Sequence, residues 1–357
     1  MKKAFLLMLL SASMLLSACG KGESDEPEIS PVPPTIESPT PTPEPTPEPT
    51  PEPFYHPLTG MELTEPFGDA RPYAVMINNI SVARPHCGVS KADILYEVLA
   101  EGDITRMMPV FSDMNDVGVI GSIRSSRPYY IELAQSYDAI YVHAGGSEQA
   151  YSDIASKGIN NIDGVRGAYA NETFYRDPTR QQYGIEHSLF TKSENIMKTA
   201  KDLGYELTHE GYESYGLDFT DEPLMENGNP AANVDVSFDG IKHTYLAYNT
   251  EKDAYNLTQY NKEYIDANSG EALYFDNILI LYADTKIVDD YGRRSVNLNT
   301  TGEGHFICSG KEIPIKWSHI DSPGLFTYTK ADGSPLELSR GKTYIAIIPT
   351  GSVPGIQ

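Results

Sequence analysis

Twelve prolines fall between positions 27 and 53, and from Pro39 they alternate with threonine and glutamate as "PTPTPEPTPEPTPEP". Each proline fixes its own φ and removes a backbone donor, so this stretch can join neither a helix nor a sheet ladder. It reads as a semi-rigid polyproline spacer, reaching on the order of 80 Å at ~3.1 Å per residue. Everything that packs into a core must therefore lie after it, and whatever precedes it is held at a distance.

What precedes it is short. Lys2 and Lys3 are followed by an apolar run, Ala4 to Leu16, of 13 residues, whereas a membrane-spanning helix needs roughly 20. The run ends in Leu16-Ser17-Ala18-Cys19, which resembles a bacterial lipobox. This predicts a signal peptide over 1–18, cleavage before Cys19 and a lipid on the Cys19 thiol, with the linker continuing to 53. The expected location is the outer face of the cytoplasmic membrane, lipid-anchored and extracytoplasmic.

Losing Lys2 and Lys3 takes the formal net charge from −23 to −25. No extended basic face can be assembled on such a chain, which excludes nucleic acid as a partner. Beyond Cys19 there remain Cys87 and Cys308. They can pair outside the cytoplasm, but the sequence does not require it. No metal framework and no cofactor motif is present: HExxH, CxxC, GxSxG and the phosphate loop are all missing. "DMNDVGVIGSIR" opens like a calcium loop but has Val117 at a ligand position and Arg124 where a bidentate glutamate belongs.

The remaining residues suffice for two cores. The basic residues change type along them: 71–180 holds eight arginines and two lysines, 221–357 three arginines and eight lysines. In the first half "YAVMIN" (73–78), "MMPVFS" (107–112), "GVIGSI" (118–123) and "AIYVHA" (139–144) read as strands. "PYYIELAQSY" and "SEQAYSDIASKG" read as helices, the second opened by Ser147 and stopped by Gly158. "ADILYEVLAEGDITRMM" reads as a hairpin turning at Gly102-Asp103, with Leu99 opposite Arg106 and Glu97 diagonal to that arginine in an ion pair. From about 233 short alternating strands take over, with turns at Asp239-Gly240, Asn268-Ser269-Gly270 and Asp332-Gly333, and Trp317 reads as a core residue. The expected architecture is an α/β domain over 54–225, with a mixed, partly parallel sheet and flanking helices. A mostly antiparallel all-β domain, barrel or sandwich, follows over 226–357.

The most informative turn is "GSIRSSRPYY" (121–130). Pro128 suits the first helical position, and Arg127 before it is pushed out of the α region, so the helix begins there. The free amides then face Arg124, Ser125 and Ser126, which together with Arg127 make a candidate anion site. "HAGGSEQ" repeats the geometry with His143 and Ser147. If strands 118–123 and 139–144 are parallel neighbours, both loops lie at one sheet edge, facing a common cleft. Arg84 and His86 in "ARPHCG", and Arg176 and Arg180 in "YRDPTR", are candidates to close that cleft.

The stretches "RPYAVMINN", "ARPHCGVSKADILYEVLAEGDITR", "IGSIRSSRPYY", "YVHAGGS", "FYRD" and "EHSLFT", in this order, resemble the YerB-like lipoproteins. "FDNILILYAD" and "GKTYIAIIP" extend the likeness over nearly all of 55–350. The resemblance implies an envelope lipoprotein with two adjoining domains of unknown function and brings no reaction. This chain departs from the pattern at Glu186, where members usually carry proline before the equivalent of His187.

The residues therefore point first to a tethered binding factor whose arginine-lined cleft takes an anionic cell-wall component or an acidic segment of an envelope protein. A cell-wall hydrolase or transferase is the alternative, with His143 or His187 as base and Glu97, Glu101 or Asp177 as partner. A third reading is a structural head that docks a membrane enzyme through its β domain.

Overall fold

The computed structural model describes residues 53–209, 215–221, 225, 227–320 and 324–357. The expected signal peptide, Cys19 and the spacer up to position 52 lie outside the described residues, as does position 226 at the expected domain boundary. The described residues after the spacer form one compact unit.

Its frame is a twelve-stranded mixed sheet. The first half contributes Tyr73–Val75, Ile77–Asn79, Ile94–Glu101, Ile104–Phe111, Ile140–His143 and Asn161–Asp163. The second contributes Asn277–Ala283, Thr300–Cys308, Lys311–His319 and Thr343–Pro349, with two shorter strands at its margin. Pairing among 73–75, 140–143 and 161–163 is parallel. Among 277–283, 300–308 and 311–319 it is antiparallel. The late strand Thr343–Pro349 is inserted in parallel between Ile94–Glu101 and Asn277–Ala283, so the sheet passes from one half to the other without a break. A second, antiparallel sheet is built around Asn233–Ser237, His243–Asn249 and Ala254–Gln259.

Alternation along each strand divides the core between the two faces of the large sheet. On one face Ile94, Tyr96 and Val98 pack with Leu279, Leu281, Ile345 and Trp317, under the helices Pro128–Gln135 and Glu148–Lys157. On the other, Leu95, Leu99 and Met107 pack with Ile278, Ile280 and Tyr344, and with Val236, Leu246 and Leu257 of the second sheet. Trp317 is a core residue, and its indole donates to Tyr282 O at 3.2 Å. Cys87 and Cys308 are both free thiols.

Local signals position the helices. Arg127 sits at the first helix's N-cap in extended conformation (φ −136°, ψ 154°), with Pro128 following. Ser147 Oγ accepts from Ala150 N at 3.2 Å, and Gly158 ends that helix at φ +64°.

Two pairings differ from the sequence expectation. The hairpin does turn at 102–103, but its register shifts between Leu99 and Glu101, so Val98 faces Arg106 and Leu99 faces Thr105. This bulge leaves Glu97 and Arg106 on opposite faces, so the expected Glu97–Arg106 ion pair does not form. The strand 118–123 shortens to Val119–Gly121 and is not a neighbour of 140–143. It pairs with Leu189–Lys192 in a separate three-stranded sheet. Position 121 is glycine at φ +155°, and Phe190 of the paired strand covers it so closely that its Cδ1 would stand 2.4 Å from a Cβ.

Glu97 is fully buried on the face toward the second sheet. Oε1 accepts from Asn79 Nδ2 (2.9 Å) and Thr105 Oγ1 (2.6 Å) and lies 3.4 Å from Lys242 Nζ. Oε2 accepts from Thr244 Oγ1 (2.9 Å), Gln259 Nε2 (2.9 Å) and Tyr344 Oη (2.7 Å). One carboxylate thus ties the first half to three segments of the second. Glu97→Leu would leave Lys242 buried without its partner, and an expected loss of about 3–5 kcal/mol follows from removing one member of a buried pair. Urea unfolding checks this. The double variant Glu97→Leu/Lys242→Met should recover a large part of the loss, and a cost under about 1 kcal/mol for the single variant would contradict the assignment.

Candidate anion-binding site

The loop after Gly121 reaches its expected neighbour by a different route. Ser126 N donates to Gly145 O (2.8 Å) and Ala144 N to Arg124 O (3.0 Å), so residues 124–126 run beside 144–146 although the preceding strand lies elsewhere. The loop is fixed from within by Glu101, which accepts from Arg106 Nη2 (2.5 Å) and Arg127 Nη2 (2.7 Å). Arg106 also donates to Ser125 O, and Arg127 to Ser126 O. Burial alone would raise the Glu101 carboxyl; the two guanidiniums outweigh it and hold it below the usual carboxylate value.

This corrects four assignments. Arg127 is buried and committed to Glu101, so it cannot face a cleft. Ser126 is buried, and its Oγ accepts from Tyr141 Oη. Glu97 and Glu101 are structural anchors, each with its oxygens occupied, and neither is placed to assist a catalytic base.

Arg124 behaves differently. It is half-buried, and Nη1 reaches Glu186 O at 3.3 Å across the segment 174–188. On that segment Arg176 donates to Ile185 O (2.5 Å) and Ser188 Oγ (3.4 Å), and Arg180 to Ala83 O. Arg84 donates to Gln259 O and Glu263 O and lies 4.3 Å over the Tyr264 ring, clamping the two halves. Among the described residues no carboxylate lies within 4.0 Å of these four guanidiniums, whereas Arg71, Arg106, Arg127, Arg293 and Arg340 each have one. Arg124, Arg176 and Arg180 share neighbours. The charges of Arg124 and Arg176 help to lower the Glu186 carboxyl, after the larger effect of a backbone amide. Those of Arg124 and Arg180 add to the burial that lowers His187.

His187 is buried at this edge, and its Nδ1 accepts from Asn78 Nδ2 at 2.8 Å, which leaves the proton on Nε2, 3.6 Å from Glu186 Oε1. Asp177 caps its own turn, with Oδ1 accepting from Thr179 N and Oγ1. Ser125 is half-buried beside Arg124. Arg124 and Arg180 thus act on His187, and Arg124 and Arg176 on Glu186, whose carboxylate stands 3.6 Å from the protonated His187 Nε2. This edge is rich in donors with one acid among them.

The other histidines lie apart from it. His143 is buried, with Nδ1 at Gly145 O (2.8 Å) in the 144–146 turn and Nε2 at Asn161 Oδ1 (3.1 Å) on the neighbouring strand, so both nitrogens have internal partners. Ser147 is the helix cap described above. His86 is fully buried against Tyr264 Oη, and its Nε2 has no hydrogen-bond partner among the described residues. No side-chain hydroxyl or thiol is hydrogen-bonded to His143 or His187 among the described residues. His143, Ser147 and His86 are thus withdrawn from the expected cleft by their own local partners. Asn78, the residue that sets the His187 tautomer, had no sequence signal because it sits 109 positions away.

Fold and site together define a class of two-part heads in which an α/β half and a β half are built on one sheet with an arginine-rich edge. The chain belongs to the family described as "Protein of unknown function (DUF3048)": residues 58–206 match its N-terminal domain and 234–345 its C-terminal domain. It is 32% identical over 296 residues to "Putative lipoprotein YerB" of Bacillus subtilis (strain 168), covering 82% of this chain and 86% of that one. The crystal structure of the YerB protein from Bacillus subtilis superposes with a TM-score of 0.71 at 30% identity, over 85% of this chain and 99% of that one.

His86 gives this region a pH dependence. Burial, with Arg84 and Arg180 nearby, lowers its pKa from 6.5 to about 3. The unfolded chain then binds one more proton than the folded chain between those values. Stability is lost as pH falls through that window, at about 1.4 kcal/mol per pH unit from this group. Denaturation curves from pH 7 to 3 should show His86→Gln losing stability less steeply by one proton, and an unchanged slope would contradict the assignment.

Proposed function

We propose that the chain is a lipoprotein held by a lipid on Cys19 at the outer face of the cytoplasmic membrane, carrying its head on the proline-rich spacer and binding an anionic cell-envelope ligand at Arg124, Arg176 and Arg180. The observation that carries the reading is the state of these guanidiniums. In a chain of formal net charge −23 they are bonded to uncharged oxygens, and no carboxylate among the described residues lies within 4.0 Å of them, Glu186 acting only from farther off. A phosphate of a wall polymer or a peptidoglycan stem carboxylate would supply the missing charge-assisted bonds. The lipoprotein description of the relative from Bacillus subtilis supports the anchor, and the spacer gives the head reach toward the wall.

Thermal denaturation of the head, 54–357, with phosphate, peptidoglycan fragments and teichoic-type polymers tests the reading. A ligand at a hundred times its dissociation constant should stabilise by about 2.7 kcal/mol. Arg124→Ala/Arg176→Ala should abolish the shift while leaving the unliganded stability close to wild type. Arg127→Ala should instead destabilise the head itself, since it strips Glu101 of a buried partner. An undiminished shift in the Arg124/Arg176 variant, or no shift in wild type with any of these anions, would overturn it.

A further inference from the structure

A second cavity, of about 610 Å3, opens where the two halves meet and shares no residue with the arginine edge. Its walls bring His56, Ser90 and Asp93 from the first half against Lys252, Asp276 and Lys342 from the second. Val89, Leu273 and Phe275, all buried, give it an apolar lining. The volume is in the range of small-molecule sites.

The charged groups around it are incompletely satisfied. Lys342 Nζ donates to Ser90 O, and no carboxylate among the described residues lies within 4.0 Å of it. Burial lowers its pKa, with Asp93 and Asp276 partly offsetting that effect from a distance. Asp93 receives its hydrogen bonds on Oδ2, from Ser112 N (2.8 Å) and Oγ (2.7 Å), and its Oδ1 stands 4.0 Å from His56 Nε2. Asp276 Oδ2 accepts from Lys342 N at 2.7 Å. That carboxyl fits only because position 341 is glycine at φ +134°, where a Cβ would stand 2.1 Å from Asp276 Cγ. Among the described residues the hydrogen bonds from other residues fall on Oδ2 in both aspartates, and Oδ1 of Asp93 has only the 4.0 Å contact with His56. Exposed Glu271 and Lys252 also line the cavity, and Lys252 Nζ is 4.8 Å from the Tyr274 ring centroid.

Cations and carboxylates thus line one cavity with an apolar wall, and neither sign prevails enough to favour a simple anion or cation. We propose that this cavity binds a small zwitterion, a free amino acid or short peptide, with Lys342 and Lys252 taking its carboxylate and Asp93 and Asp276 its ammonium group. A ligand seated there contacts both halves and would stabilise their union.

The probes are alanyl-alanine, its N-acetyl derivative and its C-terminal amide, titrated calorimetrically into the head, 54–357. The free dipeptide should bind, and each blocked form at least about tenfold more weakly, because each loses one charge pair. Lys342→Met should abolish binding and Lys252→Ala weaken it, while Arg124→Ala leaves it unchanged, which separates this site from the arginine edge. Should Lys342→Met fail to fold, the three ligands on wild type and the exposed Lys252→Ala variant decide. Absence of binding by the free dipeptide at about 10 mM, equal binding of all three forms, or full binding by Lys342→Met would overturn the proposal.

Discussion

The structure depends above all on the buried carboxylate of Glu97, which is shared between the two halves of the chain. Glu97 accepts from Asn79 and Thr105 on its own side and from Thr244, Gln259 and Tyr344 on the other, with Lys242 at 3.4 Å. A charge so deeply placed is tolerated only where its lone pairs are filled. Filling them here requires the second sheet and the late strand Thr343–Pro349 to be in position. The same strand completes the main sheet between Ile94–Glu101 and Asn277–Ala283, so main-chain and side-chain bonding enforce one arrangement. Two regions that match separate family domains are therefore joined into one body.

A second internal ion group sets the edge where the proposed ligand binds. Glu101 holds Arg106 and Arg127, and through them the carbonyls of Ser125 and Ser126. The turn that carries Arg124 is thereby pinned without using Arg124 itself. The arginines divide by partner: those on carboxylates organise the fold, while Arg124, Arg176 and Arg180 rest on main-chain carbonyls. A carbonyl orients a guanidinium but does not neutralise it. Carbonyl bonding alone does not make an arginine available, since Arg84 is bound in the same way and clamps the two halves.

Legibility in the sequence followed the range of the interaction. Arg127-Pro128 at a helix start, Ser147 as a cap and Gly158 as a stop are decided within a few residues, and each stands where its chemistry places it. The strand segments and the change from a mixed α/β half to an antiparallel one were visible in periodicity. The bulge between Leu99 and Glu101 was not, because both hairpin strands are buried on both faces and their continuous apolar runs do not distinguish one register from the next. It decided which acid Arg106 meets. The departure of Val119–Gly121 to a separate sheet depended on Phe190, nearly 70 positions later, and the Glu97 site on residues up to 247 positions away. Spacing along the chain encodes no such contacts. Hence Arg124 and Arg127, alike in the sequence, part in the structure: Arg124 reaches the Glu186 carbonyl, while Arg127 is buried against Glu101.

Native-state hydrogen exchange under increasing denaturant tests the union of the halves most directly. Amides of Ile104–Phe111 in the first half and of Thr300–Cys308 and Lys311–His319 in the second should converge on one global opening free energy. That result is expected if the shared sheet and Glu97 make the head a single cooperative unit. Convergence on two distinct opening energies, with one half exchanging while the other stays protected, would contradict it.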